Sequence, residues 1–322
     1  MKGRRKGGAV PLYALLLLLM LIGTAVWRAG EGTARGAFSG QDTRESVQVP
    51  IVMYHALLKD DDRHGEYVIS PDEFESDLKY LKAHGYETVV VQDLINFTNG
   101  GDLPEKPVLI SFDDGYYNNY LYGMEIARRE NCKFVVSPIV SVTELFTASQ
   151  EHNAYYSHLT WEMLKEMSDS GIVEVQNHSY DMHTIGARKG VRQKSGESEA
   201  DYEAAVTEDL LKAQAEIEKH VGKRPTTFAY PFGAVSPTTP ELVKSLGFSA
   251  TLTSAEKIST VSRDPDSLYD LGRFVRPSGL TSAEFFEKRM KLPEQEKEES
   301  TPPPAPTAPQ TPPAPRVPGE EK

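Results

Sequence analysis

From Val49 to about residue 290, short apolar runs rich in β-branched residues alternate with stretches whose apolar positions recur every three to four residues. The first kind reads as buried strands and the second as amphipathic helices. Strands are expected at 49–55, 88–91, 108–112, 133–139, 172–176, 227–229 and 249–252, with a last one at 271–275. Ser70-Pro71-Asp72-Glu73 has the marks of a helix start: a capping serine, proline in the first turn and a glutamate three residues after the cap. Phe74, Leu78 and Leu81 then form one buried face, and Gly85 ends the helix. Further helices are expected after Val91, around 119–130, from Trp161 to Ser170 behind Thr160, about 200–220, from Thr239 to Gly247, and from Ser282. The helix at 200–220 is expected to turn Val206, Leu210, Leu211 and Ile217 inward. Strands alternating with helices imply a parallel sheet. About seven such units fit either a barrel or an open doubly wound sheet, and both place ligands at the C-terminal ends of the strands.

The flanks break this pattern. Residues 9–27 are apolar or small, with Leu15 to Leu19 uninterrupted. At ~1.5 Å per residue they would span about 28 Å, close to a bilayer core. Lys2, Arg4, Arg5 and Lys6 precede them and predict a cytoplasmic N-terminus. An uncleaved single-pass membrane anchor is expected; a signal peptide cleaved near Gly23-Thr24-Ala25 is the alternative. Both put the rest of the chain outside the cytoplasm. The chain therefore divides into a basic tip and anchor (1–28), a linker (29–48), a globular domain (49–290) and a Pro-, Ala- and Thr-rich tail (291–322) expected to be disordered.

Charge narrows the partners. Five of the 35 basic residues fall in the first 28 positions, which hold no acid, so the remainder carries 30 basic against 47 acidic residues. That argues against nucleic acid as a partner. The single cysteine, Cys132, forms no intramolecular disulfide and reads as a buried, inert thiol.

Three stretches carry candidate chemistry. Asp113-Asp114-Gly115 ends the strand at 108–112. Adjacent carboxylates repel, so at a strand end they call for a cation or a proton. Asn177-His178-Ser179-Tyr180-Asp181-Met182-His183 follows the strand at 172–176. Histidines five apart would point ~140° apart on a helix, unlike the helical zinc pair spaced by four. On a loop they can converge, and two imidazoles with one carboxylate suit Zn²⁺, Co²⁺ or Ni²⁺. Phe228-Ala229-Tyr230-Pro231-Phe232-Gly233 is either a structural turn or a groove wall with a backbone N–H directed into a site. The histidines at 64, 84, 152, 158 and 220 read as loop or helix-surface residues, and Tyr116 and Tyr117 either line a groove or pack at the barrel mouth.

Together, Ser111-Phe112-Asp113-Asp114-Gly115, His178-Ser179 with His183, and Tyr230-Pro231-Phe232-Gly233 resemble the first three motifs of the polysaccharide deacetylases, carbohydrate esterase family four. The resemblance covers about residues 49–290. It implies a deformed (β/α) barrel and metal-dependent removal of acetyl groups from polysaccharide, with zinc as the expected metal. It implies Asp113 as general base, Asp114, His178 and His183 as metal ligands, and the Phe232 N–H as oxyanion donor beside Tyr230 and Pro231. The histidine spacing of five resembles the branch that deacetylates biofilm poly-N-acetylglucosamine. Two departures stand out. Ala229 occupies the place of an arginine that braces the base, with Arg273 and Arg276 as candidate substitutes. No late Leu-x-His motif is present, because no histidine follows His220; Met53-Tyr54-His55 resembles its displaced form and makes His55 the expected general acid. The expected partner is a cell-wall or exported glycan containing N-acetylglucosamine. The alternatives are an O-acetyl polysaccharide esterase and a catalytically inactive glycan-binding protein on the same fold.

Overall fold

The computed structural model describes residues 42–293. The expected anchor at 9–27 and the tail beyond 293 lie outside the described residues. Among the described residues, no helix is long and apolar enough to cross a membrane.

β1 (Ser46–Val49) buries Val47 and Val49 and exposes Ser46 and Gln48. It pairs antiparallel with Ser259–Ser262, so the folded body begins inside the stretch read as a linker. β2 (Ile51–Tyr54) follows Pro50, and the short parallel pair β3 (Ala56–Leu57) and β4 (Val68–Ile69) leads to α1 (Pro71–Ala83). The expected capping box forms: Glu73 N–H donates to Ser70 Oγ at 3.0 Å and Ser70 N–H to the Glu73 carboxylate at 2.9 Å. Such a cap stabilises a helix by about 1 kcal/mol. The chain continues through β5 (Glu87–Val89), α2 (Val91–Thr98) and β6 (Pro107–Asp114). A π-helical turn at Asn119–Met124 runs into α3 (Glu125–Glu130), followed by β7 (Phe134–Pro138) and α4 (Val140–Ser149), a helix the pattern did not predict. Then come α5 (Trp161–Asp169), β8 (Val173–Val175), α6 (Glu199–Val221), β9 (Thr227–Ala229), α7 (Thr239–Ser245), β10 (Ala250–Leu252), β11 (Ser259–Ser262) and β12 (Phe274–Val275). On α6, Val206, Leu210 and Ile217 are buried as expected, but Leu211 is 38% exposed, because it stands ~100° round the helix from Leu210.

The main sheet is parallel, in the order β12-β2-β6-β7-β8, with β5 also on β6; β9 and β10 form a separate parallel pair. Two parallel bridges, Asn177 to Phe228 and Leu252 to Leu271, join the pieces into a ring. The result is a deformed barrel rather than an open sheet.

The two-residue period of a strand sorts the side chains. On β6, Val108, Ile110 and Phe112 pack in the layer shared with the helices, together with Tyr54 and Phe274. Leu109 packs with Ile51, Val135, Ala229 and Leu252 inside the barrel. The same alternation sends Asp113, His55 and Arg273 inward, where all three line one cavity.

Candidate active site

That cavity has a volume of about 450 Å³ and opens at the C-terminal ends of the strands. β6 delivers both carboxylates to it. Asp114 has φ 68° and Gly115 φ 73°, two successive left-handed residues that turn the chain off the strand. A Cβ on residue 115 would lie 2.8 Å from the Pro138 Cβ, so the turn requires glycine. Ser179 (φ 79°) and Phe232 (φ 57°) are also left-handed. Such non-glycine conformations cost roughly 1–3 kcal/mol each and collect at functional sites.

Asp114 Oδ1 lies 3.5 Å from His178 Nε2 and 3.2 Å from His183 Nε2. One ligand atom from each of these residues falls within 4.8 Å of the other two. His178 Nδ1 lies 2.8 Å from the Ala229 carbonyl. That contact makes Nδ1 the N–H and turns the Nε2 lone pair toward the carboxylate. Asp114 Oδ1 is buried and receives no hydrogen bond from any of the described residues. A lone pair facing a buried carboxylate needs a cation between them. The 3.2 and 3.5 Å separations are close to the edge, about 3.3 Å, of a tetrahedron with bonds of about 2.0–2.1 Å. This donor set of two nitrogens and one oxygen therefore fits a divalent metal. Burial opposes ionisation of Asp114, but the His178 and His183 imidazoles facing it outweigh burial and hold the carboxyl below the usual range.

Beside this set, Asp113 is buried against Arg273 in a two-pronged pair: Nη1 to Oδ1 at 2.7 Å and Nη2 to Oδ2 at 2.8 Å. Arg273 Nε donates to the Thr253 carbonyl at 3.0 Å. Arg273 therefore braces Asp113, and Arg276 does not: its Nε donates to Asp77 at 2.8 Å. Burial pushes the Asp113 carboxyl up, but the Arg273 guanidinium, with His178, brings it below its ordinary value.

His55 follows β2 and lines the same cavity. Its carbonyl accepts from Asn119 Nδ2 at 2.7 Å, its ring meets Tyr67 edge-on at 4.8 Å, and its Nδ1 is buried without a hydrogen bond. Burial lowers its pKa, against the pull of Asp113 and Asp114. In the third motif, Tyr230 lines the cavity and burial pushes its hydroxyl up to about 12. Pro231 is buried and does not line the cavity. The Phe232 ring lies 4.2 Å from the His183 ring.

The cavity holds more than the motifs predicted. Tyr67 and Lys189 line it, and no motif signals either. Tyr116 lines it, whereas Tyr117 stacks on His152 at 5.3 Å. His158, read as a surface residue, is half-buried against Tyr116, with ring centroids 4.6 Å apart. Cys132 is buried as expected.

Residues 100–251 match the model of the family described as polysaccharide deacetylase. The chain is 23% identical over 242 residues to a poly-beta-1,6-N-acetyl-D-glucosamine N-deacetylase of Staphylococcus epidermidis, covering 75% of this chain and 78% of the relative. A protein of the same name from Staphylococcus aureus is 26% identical over 225 residues, 70% of this chain and 71% of the relative. Among solved structures, IcaB from Ammonifex degensii is 29% identical with a TM-score of 0.58, covering 71% of this chain and 92% of that one. A de-N-acetylase from Aggregatibacter actinomycetemcomitans shares the fold at a TM-score of 0.64 and 23% identity, over 74% of this chain and all of that one.

Proposed function

We propose, from the match of residues 100–251 to the polysaccharide deacetylase family, that the chain is a metal-dependent enzyme that removes N-acetyl groups from a polymer of N-acetylglucosamine outside the cytoplasm. The observation that carries this reading is the meeting of two sets in one cavity: the Asp114, His178 and His183 donors and the arginine-held Asp113. The names of the staphylococcal relatives support a β-1,6-linked polymer as the substrate class. The apolar run at 9–27, behind its basic cluster, supports an anchored, exported enzyme.

Asp114, His178 and His183 would hold the cation, with Zn²⁺ as the metal of this reading. A divalent cation there supplies a Lewis acid for the acetyl carbonyl and makes water more acidic. Asp113, kept ionised by Arg273, accepts the proton of water as the new C–O bond forms. The Phe232 N–H donates to the carbonyl oxygen as charge builds on it. His55 gives a proton to the departing nitrogen as the C–N bond breaks, leaving acetate and a free amine. Burial lowers the His55 pKa, which makes its protonated form a stronger acid than an exposed histidine.

Acetate release from β-1,6- and β-1,4-linked N-acetylglucosamine polymers, compared with O-acetylated xylan, tests the substrate class. Release from the amide polymers with new free amines is the expected result; release from xylan alone overturns it in favour of an esterase. A His55→Ala protein is expected to keep its metal and lose turnover by roughly 10²-fold or more. Near-normal turnover removes His55 from the mechanism.

A further inference from the structure

The two imidazoles of the metal set are held by different means. His178 is oriented through its second nitrogen, which bonds to the Ala229 carbonyl. Among the described residues, no group pairs with the second nitrogen of His183, so apart from the Phe232 ring against it its placement depends on the peptide chain that carries it. That chain, 179–182, lies between two helices. Ser179 N–H donates to Asn177 Oδ1 at 2.7 Å and Met182 N–H to Ser179 Oγ at 3.0 Å, both local contacts. The two N–H groups between them go to one distant side chain: Tyr180 N–H to Asp209 Oδ1 and Asp181 N–H to Asp209 Oδ2, each at 2.8 Å. On the carbonyl side, the first turn of α4 donates: Val140 N–H to Ser179 O at 3.1 Å and Ser141 N–H to Tyr180 O at 2.9 Å. A carboxylate that accepts from two successive peptides fixes both peptide planes, and charged acceptors make the stronger hydrogen bonds.

We propose that Asp209 is a positioning residue for the metal centre: its carboxylate clamps the peptide between His178 and His183, and so sets where the His183 imidazole stands relative to Asp114. The proposal rests on the metal-dependent reading of the site and names the part of the chain that makes a histidine spacing of five workable. Asp209 lies outside both the donor set and the cavity lining, and acts through the loop. Groups of this kind, which orient a metal's ligands, typically change affinity 10–100-fold when replaced.

The test uses the full chain with Asp209→Asn, which matches the native shape, and Asp209→Ala. Zn²⁺ affinity is measured by competition with a chromogenic chelator. Amide hydrogen exchange at Tyr180 and Asp181 and the Tm are measured on metal-free protein. Zn²⁺ affinity is expected to fall about 10–100-fold, with faster exchange at those two amides and a metal-free Tm close to that of the wild type. Wild-type affinity in both variants overturns the clamp. So does weaker binding that accompanies a general fall in metal-free Tm with unchanged exchange at Tyr180 and Asp181. Failure of wild-type protein to bind Zn²⁺ overturns the metal reading itself, whereas the exchange measurement reports on the clamp without any metal.

Discussion

Two arginines three residues apart flank the last barrel strand, and each meets a buried aspartate. Arg273 pairs with Asp113 and Arg276 with Asp77, and all four side chains are at most 4% exposed. Burial does not distinguish them; the donor count does. Asp77 is saturated. Its Oδ2 accepts from Arg276 Nε at 2.8 Å and the Tyr54 hydroxyl at 3.0 Å, and its Oδ1 accepts from Arg276 Nη2 at 3.2 Å and Ser282 Oγ at 2.7 Å. Among the described residues, the Asp113 carboxylate accepts only from the two Arg273 nitrogens and keeps its remaining lone pairs for the cavity. The Asp77 pair ties β2 and α1 to the last barrel strand and has no capacity left for a reaction. The Asp113 pair is held as firmly and left unsaturated, which is what a base requires.

Breaking each pair should sharpen the contrast, from the largest effect on turnover to the smallest. Asp113→Asn removes the base and should lower kcat by roughly 10²–10⁴-fold, while titration still finds the metal bound at the wild-type stoichiometry. Full activity in a metal-loaded Asn variant would remove Asp113 from the role. Arg273→Met keeps the carboxylate but strips its guanidinium. Burial then pushes the Asp113 carboxyl up, so the acid limb of the kcat/KM profile should move to higher pH, with a loss of about 10-fold or more at neutral pH. An unmoved limb would mean that Arg273 only packs. Arg276→Met leaves Asp77 buried without its counter-charge. Stability to urea should fall by about 3–5 kcal/mol, with kcat per folded molecule within about twofold of wild type. Selective loss of kcat at unchanged stability would erase the distinction between the two pairs.

Much of this site was legible in the sequence. The short buried strand into Asp113-Asp114, the histidine loop and the Ser70 capping box stand where their patterns place them. The choice between Arg273 and Arg276 was open because the sequence does not say which strand face looks into the barrel. Once Leu271 and Leu109 are seen inside, the two-residue period selects Arg273, and Arg276 falls on the opposite face beside α1. α4 was missed for a different reason: three of the four residues Val140-Ser141-Val142-Thr143 are β-branched and no side chain caps its start, so no helix start is legible there. Its first-turn N–H groups are committed to the histidine loop, a contact between segments about 40 residues apart that no local pattern carries. Asp209 was invisible for the same reason. It sits in a run of ordinary helix-surface acids, and its value lies in two backbone groups 28 and 29 residues away.

In the proposed reaction, Asp114, His178 and His183 hold a cation without which the acetamide is not hydrolysed. The most direct measurement is acetate release from poly-β-1,6-N-acetylglucosamine by wild-type protein before chelation, after chelation and after Zn²⁺ is restored, beside a His183→Ala variant. The expected result is release that chelator abolishes and Zn²⁺ restores, and that the variant lacks at matched Zn²⁺. Release that persists through chelation and survives in the variant would contradict it.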